Sequence, residues 1–347
     1  MSRSVRRDEV LDALVRSGPL PSQAASSYEL AAGAVREGRF GDAEELGRFT
    51  VEEAREGREL YPVFAERIRD FLRREEVPAD RLEREEARVR GLLRLPGGEE
   101  FDLERGWDSY VGHIEDFARA CRRERAAEAL AELERARRSW RETHDRACDL
   151  VCGLLDASAR LLGETRIGEV WDHVMASIYP SRDRYDVRAR PWRESIEPLV
   201  LDAATSLRGH LSGPGRAGAV EVEEHADRWV VRFDPCGSGG RTYLPDAEEG
   251  TPPRTEPPFG FAVTTEEHDW AWNAKGVCLY CAHCCQLQQR IPIRRLGYPV
   301  RVVDPPRWPA EGKATCTWSI YKDPSLVPEE AYRSVGERPP EGQPPAR

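Results

Sequence analysis

Between residues 107 and 163 the chain carries no proline, and Leu130, Leu133, Trp140, His144, Cys148, Val151 and Leu155 recur at spacings of three, four and seven. That period predicts a long helix with one largely apolar stripe. Upstream, the stretch from Tyr28 to Val35 followed by Phe40, Ala43, Leu46 and Phe49 predicts a helical hairpin turning near Gly38 and Gly41. No second copy follows at a fixed period, which excludes a helical solenoid. Residues 1–95 therefore read as helical, closed by the breaker Leu95-Pro96-Gly97-Gly98. Further helices are expected over 167–178 and 196–211.

After Ser212-Gly213-Pro214-Gly215 the period changes. Val220 and Val222, then Trp229, Val231 and Phe233, alternate as half-buried strands about a turn at 225–228. Residues 299–303 and 315–321 predict a second strand pair, and residues 279–290 between the pairs predict a helix. Residues 245–259 read as a loop, and the proline-rich stretch from about 335 as a disordered tail. The expected fold is α+β: a helical N-terminal region followed by a ββ-α-ββ cysteine-rich metal-binding module. Its units are a helical region at 1–95, a long-helix bundle at 107–211, the cysteine-rich module at 218–325 and the tail at 335–347.

Composition narrows the functional classes. The chain has 347 residues, 39% hydrophobic and 33% charged, with a net charge of −10. An acidic chain whose cations are interleaved with carboxylates argues against a nucleic-acid partner, since binding phosphates needs a concentrated basic surface. No apolar run approaches the roughly 18 residues that span a bilayer, and the N-terminal segment lacks the apolar core of a secretory signal. The expected compartment is the cytoplasm. Only Lys275, Lys313 and Lys322 are lysines, a bias we attribute to a GC-rich genome.

Nine cysteines are more than packing alone calls for in a reducing compartment, where clustered thiols point to metal, cluster or redox chemistry. Cys278, Cys281, Cys284 and Cys285 form C-x2-C-x2-C-C. On a helix they would fall within roughly 120° of one another, with Gln288 on the same face and His283 off it. Four ligands on one stripe cannot converge on one tetrahedral ion, so two must come from elsewhere. Cys236 ends a strand and enters Gly237-Ser238-Gly239-Gly240, where a turn can aim backbone N–H groups at the sulfur. Cys316 alternates with Trp318 and Ile320 on a buried strand face. The expected ligands are Cys236, Cys281, Cys284 and Cys316, with Cys278, Cys285 and His283 in reserve. Ordinary packing and a redox dithiol are the competing readings.

Zinc suits a thiolate site with an optional histidine. An iron–sulfur cluster is the alternative, although the spacing departs from the ferredoxin run C-x2-C-x2-C-x3-C. The glycine run could also cradle an anion, but a turn explains it more simply.

His144, Cys148 and Cys152 stand at i, i+4 and i+8 on the long helix, with Asp145 and Asp149 alongside. Sharing a stripe with Trp140 and Val151, such a histidine is most simply a satisfied core residue. If that helix packs over the cysteine module, His144 and Asp145 become an acid/base pair. Trp270, Trp272 and Trp318 are candidates for an aromatic pocket beside the thiols.

The order helices, β-hairpin, cysteine-bearing helix, β-hairpin, ending in Thr315-Cys316-Thr317-Trp318-Ser319-Ile320, resembles the 4-vinyl reductase domain family. It is similar also to the L-2-amino-thiazoline-4-carboxylic acid hydrolase-like proteins. The resemblance covers roughly residues 120–325 and rests on architecture. It implies a bound small hydrophobic molecule and a zinc ion held by cysteines near the last hairpin, with Cys316 as the cysteine of the closing strand. The glutamate and cysteine of the family's preceding strand are absent here.

The expected function is that of a zinc, or other thiolate-metal, enzyme of hydrolase or lyase type acting on a small organic molecule. Here His283 or the His144–Asp145 pair would move protons. The alternatives are a small-molecule sensor or scaffold whose metal is structural, and an iron–sulfur or dithiol redox protein.

Overall fold

The computed structural model describes residues 4–95, 97–310 and 312–340. It is α+β, with helices dominating the first two thirds and small antiparallel sheets at either end. Residues 5–16 correct the helical expectation for 1–95. They form a hairpin of β1 (Val5–Asp8) and β2 (Ala13–Arg16), with Val5 opposite Arg16. Its turn is local side-chain chemistry: the Asp8 carboxylate accepts the amides of Val10 and Leu11, both at 3.0 Å. A helix count based on apolar spacing does not see that turn.

The helical hairpin appears as α1 (Ser27–Arg36) and α2 (Phe40–Arg74). Ser26 caps α1 by accepting the Glu29 amide, the arrangement Ser-x-x-Glu favours, and Gly38 turns the chain at φ +74°. Then follow α3 (Ala79–Leu92), α4 (Leu103–Arg122) and α5 (Ala126–Leu162). The proline-free stretch is thus two helices, parted where Glu124 takes a left-handed conformation. The other expected helices are α6 (Ile167–Met175) and α7 (Arg193–Gly209).

At 35 and 37 residues, α2 and α5 are the spine, each about 50 Å long. α7 crosses α2 closely enough that a Cβ on Gly209 would sit 1.9 Å from the Glu53 carbonyl oxygen. Among the described residues no helix is long and apolar enough to cross a membrane.

Beyond Gly213, β3 (Glu221–Glu224), β4 (Arg228–Phe233), β5 (Val302–Asp304) and β6 (Cys316–Tyr321) make one antiparallel sheet in the order β3-β4-β6-β5. The two expected hairpins are therefore joined through β4 and β6, with Phe233 opposite Cys316 and Val231 opposite Trp318. Alternation drives this pairing: Val231, Phe233, Trp318 and Ile320 are buried and join a core that also contains Phe64, Cys148, Val151 and Leu207. One apolar core thus runs from α2 and α5 into the sheet.

The cysteine segment departs from the expected helix. α8 (Ala282–Cys284) starts only after Cys281, widens into a π-helical stretch, Cys285–Arg290, and returns to α geometry as α9 (Ile291–Leu296). Cys278 lies in a bridge with Val263 and precedes the helix, so the stripe argument does not apply to Cys278 and Cys281. After β6, α10 (Glu329–Arg333) leads to Val335, which is fully buried. The part of the expected tail at 341–347 lies outside the described residues.

Candidate functional site

A cavity of about 680 Å³ opens among α2, α7, the glycine turn at 236–240 and the start of α8. Its volume suits a small organic molecule. The reactive side chains gather at one end, where Tyr61 and Phe64 of α2 face Tyr280 and His283, and His210, Cys236, Ser238 and Cys284 complete the wall.

Behind that wall runs a buried relay. The Asp145 carboxylate and the His144 ring are both fully buried. Burial pushes the Asp145 carboxyl up, but the guanidiniums of Arg216 and Arg241 outweigh it and hold the group well below the usual carboxylate range. Arg216 Nη2 donates to Asp145 Oδ1 at 2.7 Å. Asp145 is therefore an anion, and His144 Nδ1, 2.8 Å away, must carry the proton between them. Burial lowers the pKa of His144, so Nε2 is left as an acceptor.

That acceptor lies 2.9 Å from the Tyr61 hydroxyl, which is itself 2.9 Å from Ser238 Oγ. Burial, reinforced by Cys148, raises Tyr61 well above the ordinary phenol value and keeps it protonated. His210 joins through Nδ1, 2.9 Å from His144 Nε2 and 3.2 Å from Tyr61. The sequence Asp145, His144, Tyr61, Ser238 is thus a continuous hydrogen-bonded path from a buried anion to the cavity wall.

The helix bearing His144 does pack over the cysteine module, the condition under which His144 and Asp145 form an acid/base pair. Arg241, immediately after the glycine turn, fastens the two parts by donating to the Asp145 carbonyl at 2.8 Å and pairing with the Asp149 carboxylate. Arg254 closes the network at 3.0 Å from Asp149, so the loop at 245–259 is tied down rather than free.

This packing brings together thiols that the sequence pattern kept apart. The Cys152 thiol lies beside those of Cys148 and Cys278, and Cys278 lies beside both Cys152 and Cys281. Those contacts, Cys152 first, draw Cys278 well below the ordinary thiol value, whereas its neighbours Cys152 and Cys281 are driven up by the same contacts. Burial raises Cys236, while the amides of Ser238, Gly240 and Gly239 donate to its sulfur and draw it back. That is the arrangement anticipated for a cysteine entering a glycine turn. Gly239 has no alternative, because a Cβ there would lie 2.3 Å from Cys281 Sγ.

The candidate ligands divide accordingly. Cys281, Cys284 and Cys316 all surround Cys236 closely enough to feel its charge. Cys236 and Cys284 line the cavity, whereas Cys278 faces Cys152 of α5 and Cys281 lies against Gly239. Cys285 turns away, donating to the Asp269 carbonyl at 3.5 Å. Among the described residues, no three of the sulfurs come within 4.8 Å of one another. A single zinc with Zn–S bonds of about 2.3 Å would hold its sulfurs about 3.8 Å apart. Among the described residues the sulfurs do not gather as one zinc ion requires, and no cysteine cluster forms a clear metal site.

His283 lines the cavity with its Nδ1 2.6 Å from the Tyr280 carbonyl, to which it donates. Its Nε2, 3.3 Å from Cys284 Sγ, then accepts from that thiol. Burial lowers His283 to about 4 and raises Cys284, so the pair is neutral rather than a thiolate and an imidazolium.

Of the three tryptophans expected around a pocket, Trp318 lines the cavity. Trp270 instead stacks on His268 with ring centres 4.5 Å apart, and Trp272 donates to Gln289. The aromatic wall comes from Tyr61, Phe64 and Tyr280, which the sequence pattern left unmarked. Tyr61 and Phe64 carried only a helical spacing, which core residues share.

No family model, no curated protein and no solved structure matches the chain.

Proposed function

We propose that the protein is an enzyme that binds a small organic molecule in this cavity and transfers protons to or from it, of hydrolase or lyase type, beside a thiolate-bound metal centre. The observation that carries this reading is the unbroken path from Asp145 through His144 and Tyr61 to Ser238 at the cavity wall. Asp145 fixes the His144 tautomer, and His144 Nε2 can accept the Tyr61 proton as Tyr61 takes one from Ser238. Ser238 would then be the group that meets the substrate, with His210 able to hold the same proton at Nδ1. Phe64 and Tyr280 line that end and would exclude water from it.

Cys148, Cys152, Cys278 and Cys281 are the thiols we assign to the metal centre, with Cys236, Cys284 and Cys316 on its cavity side. We take the centre to be an iron–sulfur cluster, in which each thiolate serves its own iron, because no three sulfurs among the described residues gather as one zinc ion requires. Such a centre would supply Lewis acidity or one electron at a time.

The test is elemental and sulfide analysis of full-length protein purified with and without oxygen. Iron with acid-labile sulfide is expected. Zinc alone would replace the cluster by an ion, and a metal-free protein in both preparations would remove the metal centre from the proposal.

A further inference from the structure

The cavity wall also holds a charge arrangement that packing does not explain. Arg182, in the 3-10 segment Tyr179–Tyr185, is only 9% exposed and lines the cavity. Its Nε is buried without a hydrogen-bond partner, and its nearest carboxylate oxygen, on Asp202, stands 3.6 Å from Nη1. That separation is an ion pair but not a hydrogen bond. A buried guanidinium left with open donors costs stability unless something else fills them.

Arg301, its neighbour, shares a buried, unpaired Nε but fills its remaining donors. It donates to Gln288 Oε1 at 3.0 Å and to the Leu199 carbonyl at 2.8 Å, and pairs with Asp202 at 2.5 Å. Asp202 nevertheless keeps a third of its side chain open, and Glu56 of α2 lines the same wall. The wall therefore sets unfilled guanidinium donors beside the partly open Asp202 carboxylate and the carboxyl of Glu56, which burial and neighbouring Asp202 push up. A simple anion drawn to Arg182 would meet two carboxylates, and a simple cation would meet two guanidiniums.

We propose that the cavity binds an amino acid or a similar small zwitterion, its carboxylate on Arg182 and its ammonium group on Glu56 and Asp202. This rests on reading the cavity as the substrate site, and it places the reacting part of the molecule towards Ser238 and Tyr61.

The experiment is a thermal-shift and calorimetric screen of the full chain with each of the twenty common amino acids, followed by the N-acetyl and amide forms of the best binder. At least one amino acid should raise the melting temperature, since a ligand of the folded state stabilises it. Blocking either charge should weaken binding at least tenfold. Arg182→Gln should remove the preference for the free acid over the amide, and Glu56→Gln should reduce the preference for the free amine. Both variants should keep the wild-type melting temperature without ligand.

No shift with any of the twenty, equal binding of the blocked forms, or unchanged selectivity in Arg182→Gln would each overturn the assignment. Metal content separates this result from the wider proposal. A metal-loaded protein that ignores all twenty amino acids sinks only the ligand class. A metal-free protein that binds one through Arg182 sinks only the metal centre.

Discussion

The hydroxyls of Tyr61 and Ser238 stand 2.9 Å apart although 177 residues separate them in sequence. One comes from the middle of a long N-terminal helix, the other from a glycine turn at the end of a strand. Because Tyr61 also reaches His144 at 2.9 Å, it joins His144 to Ser238 in the path from Asp145. Tyr61→Phe should leave the fold intact and cost about 1–2 kcal/mol, the penalty of leaving His144 Nε2 and Ser238 Oγ without that partner. Denaturant unfolding measures the cost. NMR of the His144 ring should show Nδ1 still protonated, because Asp145 and not Tyr61 sets the tautomer.

Asp145 should matter far more to stability than its single negative charge suggests. Arg216 and Arg241 both depend on it, and all three are buried. Asp145→Asn should destabilise by about 3–5 kcal/mol, the range for breaking a buried ion pair from one side. Arg182→Gln, which removes a buried guanidinium without hydrogen bonds, should not lower stability. Parallel urea titrations of the two variants make the comparison.

Acid should weaken the protein through its buried histidines. Burial lowers His144, and burial with neighbouring His144 and His283 lowers His210, so both stay neutral in the folded state. In the unfolded chain they protonate near pH 6.5. The unfolded state therefore takes up more protons as pH falls through and below that value. Stability should be fully present above about pH 6.5 and decline below it, by up to about 1.4 kcal/mol per pH unit for each histidine. Urea midpoints at pH 7.5 and 5.5 test this, and His210→Asn should flatten the difference.

How far the site could be read from sequence depended on whether its signal was local. The alternation of Val231, Phe233, Trp318 and Ile320 foretold the two hairpins, and Cys236 before Gly237-Ser238-Gly239-Gly240 foretold amides aimed at a sulfur. The placement of Cys148 and Cys152 against Cys278 did not show, because it depends on α5 lying over the cysteine turn, a long-range contact made by Arg241 and Asp149. Assigning Cys278 and Cys281 to a helix was the other error. The chain enters helix only at Ala282 and then widens into π geometry, which an assumed 100° per residue cannot represent.

Gly239 offers a way to disturb the thiols without touching one. A methyl group there would lie 2.3 Å from Cys281 Sγ, whereas Gly41 faces open space. Gly239→Ala should displace Cys281 and reduce bound metal at least several-fold, and Gly41→Ala should leave it unchanged. Metal per chain, measured on both proteins purified side by side, gives the comparison.

The central claim is a metal held by thiols from two distant segments, α5 and the turn before α8. Its most direct measurement is iron, zinc and sulfide per chain in the wild type and in Cys152→Ser and Cys278→Ser, prepared without oxygen. Bound metal in the wild type, lost in both variants while circular dichroism keeps the helical signal, is the expected result. A wild type that carries no metal, or variants that keep all of it, would contradict the assignment.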